Sequence, residues 1–176
     1  MKRILGYFLL VITLSIFTSC NKLQSQSVKT NPYAGRALDI GIIGEALEAR
    51  EEQVRFTKIQ FSDLEEKTFN SQYDAIFITK DNLLEAAQGK YAAIYKESKI
   101  PFFFIQTEKS YVPFIQEDLS YEKALEVHDQ TYATGIIFDN DNLKSWSYGL
   151  YNDIENEVNI KDVYSRIFET ISKNRR

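Results

Sequence analysis

The chain reads as one three-layer α/β domain with a mostly parallel sheet and an antiparallel hairpin at its edge. Three observations predict this. Residues 74–79 (DAIFIT) and 102–106 (FFFIQ) are almost unbroken apolar runs, as in strands buried on both faces, and a helical stretch separates them. Strand-like and helix-like segments alternate over most of the chain. Near the end, two strand patterns flank an Asn/Asp turn, and an amphipathic helix follows.

In order, residues 38–43 (LDIGII) form the first strand, which stops at Gly44. Residues 45–52 are good helix formers and predict two helical turns. Residues 54–61 alternate as a strand near an edge, with a phase slip at Lys58 that suggests a bulge. Ser62-Asp63 opens a short helix reaching Phe69. After the strand at 74–79, Asp81-Asn82 is the expected cap of a helix running to Ser98, with Gly89 as its weak point. Pro101 then stands at the first position of the next strand, where proline is tolerated. Residues 107–130 are irregular, with a short helix expected at 121–127. Residues 132–138 and 143–150 pair as a hairpin through the four-residue loop Asp139-Asn140-Asp141-Asn142. In the final helix Ile160, Val163, Tyr164, Ile167, Phe168 and Ile171 share one face. This alternation fits a flavodoxin-like or Rossmann-like arrangement. The alternative is thioredoxin-like, since a hairpin and a terminal helix end that fold too, but the chain has no Cys-x-x-Cys.

The amino terminus reads as a separate element. Lys2-Arg3 precedes an uncharged run at 4–17, then Thr18-Ser19-Cys20. Fourteen residues are short for a spanning helix, which needs about 20, and suit the apolar core of an export signal. Ser19-Cys20 resembles the lipobox of bacterial lipoproteins, although Phe17 stands where that family usually carries Leu. The resemblance implies a diacylglycerol thioether on the Cys20 sulfur, with cleavage just before it. The chain as a whole resembles lipoproteins of Gram-positive bacteria. The expected organisation is a signal peptide at 1–19, a flexible tether at 20–36 and one α/β domain at 37–176. The expected location is the extracytoplasmic face of the cell membrane, with the lipid on Cys20 as membrane contact. As a coil, the tether would separate domain and bilayer by roughly 20–25 Å.

Composition narrows the chemistry. The chain carries 21 basic and 25 acidic residues, and a net charge of −4 argues against a nucleic-acid partner. With 12 Phe and 11 Tyr it has the material for a packed core. Cys20 is the only cysteine, so a domain that uses it as an anchor has no thiol left for catalysis, disulfides or zinc. Gly41–Glu45 lacks the third glycine of a dinucleotide loop, and no Gly-Lys-Ser/Thr exists, so no cofactor is expected. No metal is expected either: counted from Asp139 as a calcium loop, Lys144 and Leu150 replace the required Gly and Glu. His128, the single histidine, precedes Asp129 in an irregular connection and reads as a surface residue.

Ligands of open α/β sheets sit beyond the carboxyl ends of the parallel strands. That rule selects Glu45, Lys80, Asp81, Gln106 and Glu108, with Lys80, Glu45 and Glu108 forming one polar pocket. The competing reading is ordinary caps and solvated loop residues. Trp146 and Tyr148 share one face of the last strand. Exposed, they would stack on a partner or a glycan; inward, they would cover the terminal helix. The expected function is a non-enzymatic accessory module that binds another envelope protein. The alternatives are a small-solute-binding lipoprotein and an envelope hydrolase using loop carboxylates.

Overall fold

The structure is a computed structural model, and it describes residues 30–45, 47–126 and 131–174. The leader, Cys20 and His128 lie outside these. A six-stranded sheet runs through the centre in the order β2-β1-β3-β4-β5-β6. The strands are β1 (Leu38–Ile43), β2 (Val54–Lys58), β3 (Ala75–Ile78), β4 (Phe102–Ile105), β5 (Thr131–Asp139) and β6 (Asn142–Gly149). The first four are mutually parallel; β5 is antiparallel to both β4 and β6. The fold is therefore mixed α/β, with a mostly parallel sheet and an antiparallel carboxyl-terminal edge.

Successive side chains of a strand point to opposite faces, and both faces here are apolar. Ile40, Ile42, Phe77, Phe103 and Ile105 meet the 17-residue terminal helix, written here α6 (Glu157–Lys173). Ile43, Ile76, Ile78, Phe102 and Phe104 meet the opposite layer. That layer consists of five short helices, α1 (Phe61–Glu65), α2 (Phe69–Gln72), α3 (Leu83–Ala86), α4 (Gly89–Glu97) and α5 (Val112–Ile115). Parallel strands buried on both faces must be apolar throughout, which is why residues 75–78 and 102–105 show no alternation.

Several expectations are corrected. No helix forms over residues 47–53. So short a helix is marginal by itself, and here Leu47 and Ala49 pack against the α6 core while Glu51 turns inward. The phase slip at Lys58 is not a bulge: β2 ends there, Ile59 is buried beyond it, and α1 begins at Phe61. The helix expected up to Ser98 is two helices, α3 and α4, broken just before Gly89. Residues 121–123 form only a 3-10 turn, whereas α5 is a helix the pattern concealed, started by Pro113 in its first turn. The hairpin loop is two residues, because β5 and β6 pair as far as Asp139 and Asn142; Asn140 accepts a φ of 55° there.

The segment 30–36, expected to be tether, is docked. Tyr33 is buried, its ring 6.1 Å edge-on to that of Phe168. Its backbone N–H donates to Glu51 Oε1 at 2.9 Å, and Gln53 Nε2 donates to its carbonyl at 2.9 Å. Arg50 donates to Thr30 Oγ1 at 2.7 Å and to the Asn31 carbonyl at 3.0 Å. Ser165 of α6 donates to Glu51 Oε1 from the other side. Among the described residues, packing on the domain thus extends upstream of residue 37.

Candidate functional site

The β1–β2 connection packs on the α6 side, and the helices that follow β2 and β3 pack on the other. The chain thus changes sides between β1 and β3, and a crevice at such a point is where open sheets bind ligands. Here the ends of β1 and β3 are tied together. Thr79 donates to the Ile43 carbonyl through its backbone N–H at 3.0 Å and through its hydroxyl at 3.4 Å. Gly44 leaves β1 with φ 118°, and a side chain on it would collide with Thr79 Oγ1 and Asn82 Nδ2. Only glycine combines that backbone with so close an approach.

Two clefts open at this end. The larger, about 650 Å³, lies over β1 and β2 and is lined by Glu45, Lys58, Ser62, Asp81, Asn82 and Tyr91. Lys58 Nζ stands 3.3 Å from Glu45 Oε1, both side chains being well exposed, so the pair contributes little to stability. Tyr91 donates to Glu85 Oε1 at 3.0 Å and stacks on Phe61 at 4.7 Å; burial raises its phenol pKa. The smaller cleft, about 260 Å³, lies over β4, β5 and β6, with Lys80, Gln106, Glu108, Tyr132, Asp153 and Glu155 on its walls. Gln106 ends β4 with φ 57° and donates to Glu155 Oε1 at 3.4 Å. Tyr132 shares a 3.4 Å hydroxyl contact with Tyr164, and burial raises both phenol pKa values.

The single pocket expected from Lys80, Glu45 and Glu108 is not formed. Lys80, Gln106 and Glu108 come together in the smaller cleft, while Glu45 and Asp81 line the larger. The divider is the 3-10 turn Lys80–Asn82, whose successive side chains project about a third of a turn apart. Lys80 therefore faces one cleft, and Asp81 and Asn82 the other.

Trp146 and Tyr148 form no exposed stripe. Tyr148 is buried under α6, donates to Thr170 Oγ1 at 2.7 Å, and has its pKa pushed up by burial to about 12. Trp146 is half-buried and stacks on Phe103 at 6.1 Å. Gly135 stands in register between them, and Phe103 lies so close that a Cβ there would meet its ring.

Sequence reasoning missed Asp153 and Glu155, which reach the smaller cleft from the β6–α6 connection, outside the strand-end rule. It also missed a third cleft, about 580 Å³, at the amino ends of the strands, between Tyr73, Lys99 and Phe138. Among the described residues no group of three or more His, Cys, Asp or Glu could hold a metal ion, and no helix is long and apolar enough to cross a membrane. No family model, no curated protein and no solved structure matches the chain.

Proposed function

We propose that the chain is a lipid-anchored extracytoplasmic lipoprotein whose domain is a non-enzymatic module binding another envelope protein. The anchoring rests on Lys2-Arg3, the short apolar run and Ser19-Cys20. The order β2-β1-β3-β4 of the parallel strands supports the flavodoxin-like arrangement over the thioredoxin-like one. The observation that carries the binding role is the carboxyl end of the parallel strands, where two open clefts lie on either side of the turn at Lys80–Asn82.

Two measurements test this reading. Radiolabelled fatty acid enters the wild-type chain and not Cys20→Ala; equal labelling of both ends the anchoring claim. A tagged chain recovered from solubilised membranes brings a stoichiometric protein partner. A second reading, a receptor for a small polar solute, is favoured by the larger cleft at the β1–β3 crossover. It is adopted if no partner is recovered and a solute raises the melting temperature of wild type but not of Asp81→Lys.

A further inference from the structure

Leu150–Val158, the connection from β6 into α6, holds three large apolar side chains in solvent. Tyr151 is 46% exposed, Ile154 52% and Val158 42%. Single exposed apolar residues are ordinary; here three fall within eight positions of one connection. Leu84 and Leu125, the other exposed large apolar residues described, have no such neighbours in sequence.

The fold holds this connection in shape. Asn159 is buried, and its amide donates upward to the Tyr151 carbonyl at 3.2 Å and the Ile154 carbonyl at 2.7 Å. Its backbone N–H donates to Asn156 Oδ1 at 2.9 Å, which caps α6. The turn closes on itself through Asp153 N to Leu150 O and Ile154 N to Tyr151 O. Asn152 and Asp153 sit one after the other at φ 49° and 58°, a left-handed pair of non-glycine residues. Such backbone is costly and persists where its surroundings fix it. A buried amide and the turn's own hydrogen bonds thus fix the backbone that carries these apolar side chains, so binding costs that backbone little ordering.

The rim is acidic. Glu157 and Asp162 are paired within α6 to Lys161 and Arg166. Among the described residues Asp153 and Glu155 form no ion pair, and both line the smaller cleft beside Glu108, with Lys80 the one cation among that cleft's lining residues. Acids would be repelled by an anionic bilayer surface and attracted by basic residues.

We propose that the exposed Tyr151–Ile154–Val158 segment is the docking surface of the domain, and that it fits an envelope protein presenting an apolar pocket edged with Lys or Arg. The proposal rests on the binding-module reading and names its surface. The test uses the full chain in its native membranes. A benzophenone amino acid replaces Tyr151 or Ile154, or Ser62 in the larger cleft, or Asn140 at the far end of β5, and the membranes are irradiated. Positions 151 and 154 are expected to give one discrete protein adduct. Raised salt and the Asp153→Lys/Glu155→Lys pair remove it, Glu155→Gln weakens it, and the crosslinked peptide of the partner carries Lys or Arg. Matching thermal melts show that the variants fold. Adducts at 62 or 140 without 151 and 154 overturn this surface and leave the binding module standing. Absence of protein adducts at every position overturns both. A dimer of the chain, a lipid adduct, or an adduct indifferent to charge reversal overturns the proposed partner.

Discussion

The two faces of the sheet are covered by different means. One lies under a single 17-residue helix, with Val163, Ile167, Phe168 and Ile171 in one apolar stripe. The other lies under five helices of four to nine residues. No four-residue helix is stable by itself. That layer is held by side chains reaching down to the sheet: Phe114 stacks on Phe104 at 3.5 Å, and Tyr95 stands 4.8 Å from Phe102 with its hydroxyl on the Ala86 carbonyl at 2.8 Å. A long helix brings its own backbone order to the sheet, whereas short helices take theirs from it.

Substitution can break this contrast. Phe168 meets Phe77, Phe56 and Tyr33, so Phe168→Ala opens a cavity that the rigid helix cannot close. It is expected to cost about 3–5 kcal/mol in urea unfolding. Phe114→Ala removes the same side chain from α5, which can settle inward. About 3 kcal/mol, the low end for such a change, is expected, with hydrogen-exchange protection lost around 107–124 first and in α6 last. Equal costs and uniform loss of protection would show that the two layers are one cooperative unit.

The docked amino-terminal segment adds to the long-helix side. Glu51→Gln removes the charge facing Arg50 while keeping the shape. It should cost about 1–2 kcal/mol and open residues 30–36 to protease before the rest of the domain. Cleavage rates like those of wild type would mean that Tyr33 alone holds the segment.

The smallest expected effect concerns alkaline stability. Burial raises the pKa of Tyr148 to about 12, and also raises those of Tyr164 and Tyr95. The unfolded chain loses these protons near pH 10. Between the two values the unfolded state binds fewer protons, so stability present below pH 10 is lost as pH rises through 12. Tyr148→Phe should cost about 1 kcal/mol at neutral pH, through the lost bond to Thr170. It should also lose less stability than wild type between pH 10 and 12. Parallel alkaline curves would assign the loss to the other tyrosines.

How much was legible follows from the same contrast. The strands β1, β3 and β4 and helix α6 stood out in the residues, because a doubly buried strand must be apolar throughout and a long helix must carry a stripe. The short helices did not, since four residues hold too little periodicity, and their order comes from partners far along the chain. Of the candidate site, the strand-end residues lay at the expected end of the sheet. Their division into two clefts was not readable, because it depends on which way each side chain leaves the turn at Lys80–Asn82. The docking of Tyr33 is not legible, because its partners Glu51, Gln53 and Phe168 are all far from it in sequence.

The residues alone specify the α/β class, the hairpin and the amphipathic terminal helix, since these follow from local periodicity and turn chemistry. They also set the cysteine inventory, with Cys20 as the single thiol. The strand order, the docking of residues 30–36, the inward turn of Tyr148 and the held turn at Tyr151 and Ile154 arise in the packed chain alone. Each depends on contacts between distant segments, such as Asn159 reaching back beneath the turn, and those contacts exist only once the chain has packed.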